Sequence, residues 1–175
     1  LRRSRGLGDV YKRQVLVIGK TEGHIDQSLL SRIILNENNG PPPEVNLFNE
    51  KNNGLTLLNL IEKNFIKSAH DVSLGGIITA ISKMCIKGDK GIQIKKPKFL
   101  INEIEYFFAE DQGRYLIEIN PKDFKEVSKI LDKNSVHYDE IGKIIDKEMI
   151  IDQKTKLTID ELKSYNTNWL KSYMV

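Results

Sequence analysis

The 175-residue sequence has one cysteine, one tryptophan and no apolar run that approaches the roughly 20 residues a membrane-spanning helix needs. The single cysteine, Cys85, excludes a disulfide framework, and three scattered histidines beside it do not give the spacing of a zinc site. The sequence also lacks a Walker loop, a GxGxxG fingerprint and a GxSxG elbow. No membrane span, disulfide scaffold, zinc site or enzyme class marked by one of these motifs is therefore predicted.

Basic charge is concentrated at the start of the sequence. The formal net charge is +3, but residues 1–14 hold five basic side chains and one acidic one, a net +4, which leaves −1 for residues 15–175. The lysines at 95–98 have no aromatic residues interleaved among them. A near-neutral chain of this kind predicts no nucleic-acid partner.

Residues 1–14 (LRRSRGLGDVYKRQ) resemble the translated sequencing-adapter sequence that occurs at the ends of metagenomic gene fragments. We therefore expect a non-native or disordered basic leader at 1–14 and one domain over 15–175. A native linker and a functional basic arm are the alternatives, whereas a targeting segment would need an apolar stretch after the charges. Because Val15 lies within a predicted strand, the sequence favours a fragment whose upstream part is missing.

Alternating apolar runs predict an α/β or α+β domain in which helices flank a mixed β-sheet. Strands are expected at 15–18, 65–69, 91–94 and 115–119, with two more around residues 146–147. Helices are expected at 26–34 with Asp26 as the cap, after Gly54, and at 77–85, 103–108 and 123–132, with a last helix from 159 to between 165 and 173.

Several conspicuous side chains are expected to be structural. Cys85 follows the apolar spacing of a helix, so a buried thiol is favoured over a nucleophile or a metal ligand. His24 and His137 are expected to be structural or solvated. The C-terminal group of Trp169, Leu170, Tyr173 and Met174 is expected to pack on the body of the domain.

The stretch SAHDVSLGG is the first candidate site, because a strand leads through a polar turn to paired glycines that open a helix. Such a turn exposes backbone N–H groups where the helix dipole favours an anion such as phosphate. His70 and Asp71 are candidates to orient a ligand or a base, and Ser73 is a candidate helix cap. In the alternative interpretation, Asp71 and Ser73 only cap the helix, and Gly75 and Gly76 permit tight packing.

The second candidate site is the polar segment before the strand at 115–119. Glu110 and Asp111 offer carboxylates that can hold Mg²⁺, Gln112 adds an amide, and Arg114 can clamp a phosphate. Arginine is rare outside the leader, which suggests that a forked donor is needed at Arg114. An exposed polar turn with an internal ion pair is the alternative.

Taken in order, these motifs resemble one family. Gly19 with Gly23-His24, then GPPP at 40–43, SAHDVSLGG and FAEDQGRY resemble the phosphoribosylformylglycinamidine synthase family over residues 15–175. The similarity is to the C-terminal domain of the second half of the bacterial, alphaproteobacterial-type synthetase subunit. Three positions depart from the family pattern: Leu74 stands where an acidic residue is common, Ala109 where glycine is usual, and Asp26 where glycine is frequent.

This resemblance implies the fold of the C-terminal domain of the aminoimidazole-ribonucleotide-synthetase superfamily. It implies an ATP-dependent ligase of purine biosynthesis that converts formylglycinamide ribonucleotide and glutamine-derived ammonia to the amidine, with ATP and Mg²⁺ as cofactors of the intact enzyme. The implied partners are the N-terminal domains of the same chain, a glutaminase subunit and a small accessory subunit, in the cytoplasm. The nine candidate residues would line a nucleotide or substrate cleft against a missing N-terminal domain, with no catalytic residue assigned and the fragment inactive alone.

Two other functions remain open at this point. A kinase or synthetase of the same superfamily that acts on another substrate, such as thiamine phosphate or selenide, would carry a similar domain. A non-catalytic domain that only packs against partners would also fit the sequence. A domain separated from its partner should expose an apolar face, so we expect self-association of the isolated chain.

Overall fold

Helices cover both faces of a seven-stranded sheet in the computed structural model, which describes residues 12–98 and 101–174. The strands are β1 (Gln14–Ile18), β2 (Ile66–Val72), β3 (Gly91–Ile94), β4 (Arg114–Ile119), β5 (Tyr138–Ile145), β6 (Glu148–Ile151) and β7 (Thr155–Thr158). The helices are α1 (Leu47–Glu62), α2 (Gly76–Gly88), α3 (Glu103–Phe108), α4 (Phe124–Lys133) and α5 (Ile159–Tyr173).

The sheet is mixed, as the sequence predicts. Its strand order is β2-β4-β1-β5-β3-β6-β7, and every pair is antiparallel except β3 with β6. The apolar run of β1 lies in the middle and is buried on both faces: Val15 and Val17 join one core cluster, and Leu16 and Ile18 join the other. A strand with helices on both sides has no solvent-facing position, which explains why its sequence is uniformly apolar.

The two helical layers bury separate cores. On one face, residues of α2, α3 and α5 pack on the sheet, among them Ile77, Ile81 and Tyr106. On the other face, α1 and α4 contribute Leu60 and Leu131. None of the helices in the described ranges is both long and apolar enough to cross a bilayer.

The predicted helix at 26–34 is wrong. The segment forms only a short π-helical turn at Leu30–Ile34, without a cap from Asp26, and Ile33 and Ile34 are 69% and 71% exposed. Hydrogen bonds from the preceding loop run instead to Glu110 and to a neighbouring carboxylate of the same distant segment. The apolar spacing there therefore does not mark a face that packs on the core.

One further boundary and one strand differ from the sequence prediction. Helix α1 begins at Leu47, well before Gly54, because the Asn46 side chain accepts a hydrogen bond from the Asn49 N–H and caps the helix. Strand β7 was not predicted, and it pairs with β6 at the edge of the sheet. The other predicted strands and helices are present, with ends shifted by a few residues.

The end of the predicted leader takes part in the sheet. Gln14 begins β1, and the Arg13 Nη1 lies 2.9 Å from the Oε1 of Glu118. Glu118 is fully buried, and its Oε2 accepts a hydrogen bond from the Ser68 hydroxyl at 2.7 Å. Residues 1–11 lie outside the described residues. A non-native origin of residues 1–14 stays a prediction.

The prediction that the C-terminus packs on the body is wrong. Helix α5 buries Ile159 and Leu162, but from residue 164 to 174 every side chain whose exposure is described is exposed. Trp169 is 62% exposed and Tyr173 is 82% exposed. The last turns of α5 are exposed, and the rings of Trp169 and Tyr173 lie 6.5 Å apart between their centroids.

Cys85 is buried in α2, as predicted, and burial raises the pKa of its thiol to about 12. Because the thiolate is the reactive form, we expect the native chain to resist a disulfide-exchange reagent at mildly alkaline pH and to release one thiol after unfolding in urea. The absorbance of the thiol that the reagent releases measures the rate of Cys85 modification in the native chain and in the unfolded chain. Rapid labelling of the native chain would contradict the buried position.

Candidate functional site

The candidate motifs emerge from one end of the sheet. Strand β1 ends at Ile18, which faces Tyr115 near the start of β4 and Tyr138 at the start of β5. The end of β2 at Val72 faces Arg114, where β4 begins. The antiparallel pairing therefore brings the loop after β1, the SAHDVSLGG turn and the EDQGR segment to the same edge.

The Asp111 carboxylate holds the loop after β1. Its Oδ2 accepts hydrogen bonds from the backbone N–H groups of Glu22 at 3.0 Å and Gly23 at 3.2 Å, and its Oδ1 accepts one from His24 at 3.2 Å. Asp111 is only 7% exposed. These three charge-assisted hydrogen bonds to one carboxylate hold the loop after β1 in place.

Arg114 is buried beneath the same loop, with 1% of its surface exposed. Its guanidinium donates to the backbone oxygens of Asp111 at 3.1 Å and Ala109 at 2.7 Å and to the Thr21 hydroxyl at 3.0 Å, and Nη1 lies 3.8 Å from the Asp111 carboxylate. Burial lowers the pKa of the Arg114 guanidinium, and the Asp111 charge opposes that shift. The Arg114 guanidinium thus donates through several nitrogen atoms at once, as expected for a forked donor, but its acceptors belong to this domain and not to a ligand.

Glu110 joins three segments through one oxygen. Its Oε1 accepts hydrogen bonds from the backbone N–H groups of Leu29 and Gly75, each at 2.8 Å. The prediction that the start of α2 presents free N–H groups to a phosphate is therefore wrong for Gly75. A carboxylate of the chain itself lies at the N-terminal end of the helix dipole.

The paired glycines are required by close packing. Gly75 and Gly76 have φ values of +79° and +67°, and a Cβ on Gly76 would lie 2.6 Å from the carbonyl oxygens of Phe107 and Ala109. The prediction that the Ser73 side chain caps α2 is wrong, because α2 has no side-chain cap and only the Ser73 carbonyl accepts the Gly76 N–H, at 2.9 Å. The glycines let α2 begin directly against the end of α3.

His70 and Asp71 lie together at the end of β2. The His70 Nδ1 is 2.6 Å from the Asp71 carbonyl oxygen and 3.3 Å from its Oδ1, and the Asp71 side chain is 65% exposed. Burial, aided by the carboxylates of Glu50 and Asp71, raises the pKa of Tyr115. Asp71 is therefore an exposed charge near the end of β2, where it pairs with Tyr115 of β4.

A cleft of about 770 Å³ opens beside this edge. Of the nine candidate residues, only Asp111 and Gln112 line it. The other lining residues come from the loop after β1, the GPPP segment, the start of α1 with the residues just before it, and the segment before β5: Gly19, Lys20, Glu22, Gly23, His24, Pro41, Pro42, Pro43, Glu44, Asn46, Asn49, Glu50, Asn53, Ser135 and His137. The lining carries more carboxylates than cations, and Lys20 pairs with Glu22 at 2.8 Å.

Sequence reasoning missed most of these cleft residues. Asn46, Asn49, Glu50 and Asn53 recur at the spacing of one helix face, a polar stripe that was readable in the sequence. His24 was expected to be structural or solvated. Its Nε2 hydrogen-bonds the Pro41 carbonyl oxygen at 2.8 Å, which ties the proline segment to the loop after β1.

A family model described as "AIR synthase related protein, C-terminal domain" matches residues 13–154. The chain belongs to this family. The match covers most of the chain and includes both candidate motifs and the cleft. The fold expected from the sequence resemblance is therefore confirmed.

Curated relatives of this AIR synthase related domain are several times longer. The phosphoribosylformylglycinamidine synthase subunit PurL of Pelagibacter ubique is 66% identical over 160 residues, which are 91% of this chain and 22% of that protein. The corresponding PurL of Bartonella henselae is 35% identical over the same shares. The chain thus spans about a fifth of the length of these relatives.

Solved structures share the fold at low sequence identity. Thermotoga maritima PurL complexed with FGAR matches with a TM-score of 0.74 and 16% identity, over 91% of this chain and 29% of that one. The same protein complexed with ATP matches with a TM-score of 0.68 and 16% identity, over 91% and 27%. Both likenesses concern the fold.

The residues of this AIR synthase related domain do not by themselves fit a nucleotide or its metal at the predicted positions. Arg114 and the Gly75 N–H are engaged internally, and a side chain at Gly76 would strike backbone. Within 12–98 and 101–174, no group of three or more His, Cys, Asp or Glu side chains is arranged to hold a metal ion. Within these described residues, the site offers a cleft wall.

Replacement of Glu110 by alanine is expected to lower the free energy of unfolding by about 1–3 kcal/mol, because two part-buried N–H groups lose their acceptor. Glu110→Gln keeps an acceptor oxygen and should lose less. Urea denaturation followed by circular dichroism measures both variants. Equal losses for alanine and glutamine would contradict the acceptor role.

Proposed function

We propose that this chain is the C-terminal domain of a phosphoribosylformylglycinamidine synthase synthetase subunit. The full enzyme would convert formylglycinamide ribonucleotide and glutamine-derived ammonia to formylglycinamidine ribonucleotide at the expense of ATP, as an amidine-forming C–N ligase. The single observation that carries the proposal is the 66% identity with Pelagibacter ubique PurL over 160 residues. The chain alone is proposed to be inactive.

The proposed contribution of this domain is one wall of a nucleotide or substrate cleft. Gln112 and the loop after β1 form the surface, and Asp111, Glu110 and Arg114 hold that loop in place from below. His70 and Asp71 extend the wall along β2, and Ser73, Gly75 and Gly76 form the turn beside it. Another domain of the same polypeptide would supply the opposite wall and the ligands of ATP and Mg²⁺.

The partners follow from the same proposal. They are the N-terminal domains of the same chain, a glutaminase subunit and a small accessory subunit, and the proposed location is the cytoplasm. Nucleic acid is not among them, because the excess of basic residues is confined to residues 1–14.

A chimaera tests the function directly. The matched segment of Pelagibacter ubique PurL is replaced by residues 15–175, and amidine formation is assayed with formylglycinamide ribonucleotide, ATP and ammonium. We expect activity near that of the unaltered relative and none from the 175-residue chain alone. A folded chimaera that makes no amidine would overturn the proposal.

Replacement of Asp71 by alanine in the chimaera is expected to reduce amidine formation about tenfold or more, a loss of about 1.4 kcal/mol or more in transition-state stabilisation. Because the Asp71 side chain is exposed, the free energy of unfolding should stay within about 0.5 kcal/mol. Asp146→Ala is the matched control, since Asp146 is also exposed and follows β5 at the opposite end of the sheet. Equal activity of the two variants would contradict the placement of the site.

A further inference from the structure

A buried carboxylate lies behind one side chain of the cleft. Asp139 is 7% exposed, pairs with Val17 of the central strand and lies on the side of β5 that buries Ile141 in the core. A carboxylate that is taken out of water costs free energy unless donors contact its oxygens. The groups around Asp139 therefore have to explain its position.

Two side chains contact the Asp139 carboxylate. The Tyr106 hydroxyl, which is fully buried in α3, donates to Oδ2 at 3.2 Å, and the His137 Nε2 lies 3.4 Å from Oδ1. Burial raises the pKa of Asp139, and His137 and the Tyr106 hydrogen bond oppose that rise. The carboxylate thus joins a buried tyrosine to a histidine at the surface.

His137 is the member of this group that reaches the cleft. Its side chain is 46% exposed and lines the cleft, and its carbonyl oxygen accepts the Gly19 N–H at 2.8 Å. An ionised carboxylate accepts hydrogen bonds and donates none, so Asp139 favours the tautomer with the ring proton on Nε2. In that tautomer the lone pair is on Nδ1, where the imidazole is a hydrogen-bond acceptor.

The other charges of the cleft favour a ligand group that donates hydrogen bonds. The carboxylates that line the cleft are those of Glu22, Glu44, Glu50 and Asp111. Lys20 also lines it, but its ammonium pairs with Glu22 at 2.8 Å. Carboxylates repel phosphate oxygens and accept hydrogen bonds from hydroxyl and N–H groups. The described wall therefore matches the neutral, donor-bearing part of a ligand better than its phosphates.

We infer that His137 contacts the ligand of this cleft and accepts a hydrogen bond from a ligand hydroxyl or N–H group, with Asp139 and Tyr106 as its positioning residues. The inference rests on the proposed function, which makes the cleft a nucleotide or substrate site. Formylglycinamide ribonucleotide and ATP both carry ribose hydroxyls, and the former adds amide N–H groups. The phosphates of either ligand would lie away from this wall.

The tautomer of His137 is measurable in the 175-residue chain, which has three histidines. Isotope-edited NMR at mildly alkaline pH separates protonated from unprotonated ring nitrogens, and His137→Ala assigns the resonances. We expect a protonated Nε2 and an unprotonated Nδ1 in the unaltered chain, mixed tautomers in Asp139→Asn and a smaller change in Tyr106→Phe. Glu140→Gln, at the next and exposed residue of β5, is the matched control and should leave the tautomer unchanged. A protonated Nδ1 or mixed tautomers in the unaltered chain would overturn the positioning role of Asp139.

Acylation by diethyl pyrocarbonate tests the ligand contact in the Pelagibacter ubique chimaera. Peptide mass spectrometry follows the modification of His137 with ATP, formylglycinamide ribonucleotide or inorganic phosphate present. We expect at least one of the two ribose-bearing ligands to slow acylation about tenfold or more, since a bound ligand covers the groups it contacts, and inorganic phosphate to leave the rate unchanged. Lys125→His, at an exposed position of α4, is the matched control and should be acylated at one rate throughout. Protection by inorganic phosphate, or by neither ribose-bearing ligand, would overturn the inference.

Kinetics of the same chimaera test the acceptor role. His137→Ala is expected to raise the KM for the protecting ligand about tenfold or more, because a ligand donor loses its acceptor. His137→Asn should lose less, since the asparagine Oδ1 takes a place similar to that of Nδ1 and also accepts hydrogen bonds. Equal KM values for the alanine and asparagine variants would contradict the acceptor role.

The proposed function and this contact fail separately. A chimaera that makes no amidine, but in which a ribose-bearing ligand protects His137, would overturn the proposed function and leave the contact standing. An active chimaera in which His137 is unprotected and His137→Ala leaves KM unchanged would do the reverse.

Discussion

Replacement of Arg114 by alanine is expected to lower the free energy of unfolding of the 175-residue chain by about 3–5 kcal/mol. The guanidinium is 1% exposed and binds the Ala109 and Asp111 backbone oxygens, the Thr21 hydroxyl and the Asp111 carboxylate. Without it, the Asp111 charge loses its buried cation and two carbonyl oxygens lose donors. Urea denaturation measured by circular dichroism gives the change.

Two control variants separate the cause of this loss. Arg114→Lys keeps the charge but cannot reach three acceptors at once, so we expect an intermediate loss and a folded protein even where alanine fails to fold. Lys125→Ala removes an exposed cation from α4 and should change stability by less than about 0.5 kcal/mol. A loss below about 1 kcal/mol for Arg114→Ala would contradict the structural role.

The elements that the sequence predicted well are those whose pattern is local. The run at 15–18 is uniformly apolar because β1 is buried on both faces, and the helical spacing of 77–85 reflects the single buried side of α2. In both cases, the burial of each side chain repeats with the period of its own element, so a short window of sequence contains the information.

The misassigned segments depend on residues far away in sequence. The loop at 20–31 has helical apolar spacing, yet its N–H groups bind Glu110 and Asp111, more than eighty residues later. The prediction for Trp169 failed for a similar reason. The local sequence pattern of an aromatic residue at helical spacing is the same whether α5 packs on the domain or extends from it. Local patterns do not show which surface a side chain meets.

A ligand site at the two motifs stays a prediction, and the contacts of their side chains were not predicted. The two motifs converge at one end of the sheet, but Glu110, Asp111 and Arg114 bind backbone within the domain. Composition alone marks a carboxylate or guanidinium as available for a ligand. Only tertiary structure shows that its hydrogen bonds are already made.

A substitution in the Gly-Gly turn of SAHDVSLGG can distinguish a turn that binds a ligand from a turn that is needed for packing. Gly76→Ala is expected to lower the free energy of unfolding by about 2–5 kcal/mol, because alanine is strained at a φ of +67° and its Cβ would lie 2.6 Å from two carbonyl oxygens.

Gly54→Ala is the matched control for this prediction. Gly54 lies inside α1, where a Cβ would make only an ordinary 3.6 Å contact with the Tyr115 hydroxyl, so alanine should raise the stability by about 0.5–1 kcal/mol. Urea denaturation of the ligand-free chain measures both variants. If Gly76→Ala left the stability unchanged, the glycine would not be needed for packing, and a role in admitting a ligand to the start of α2 would be favoured. A large loss without any ligand present means that the Gly-Gly turn is required first by the fold.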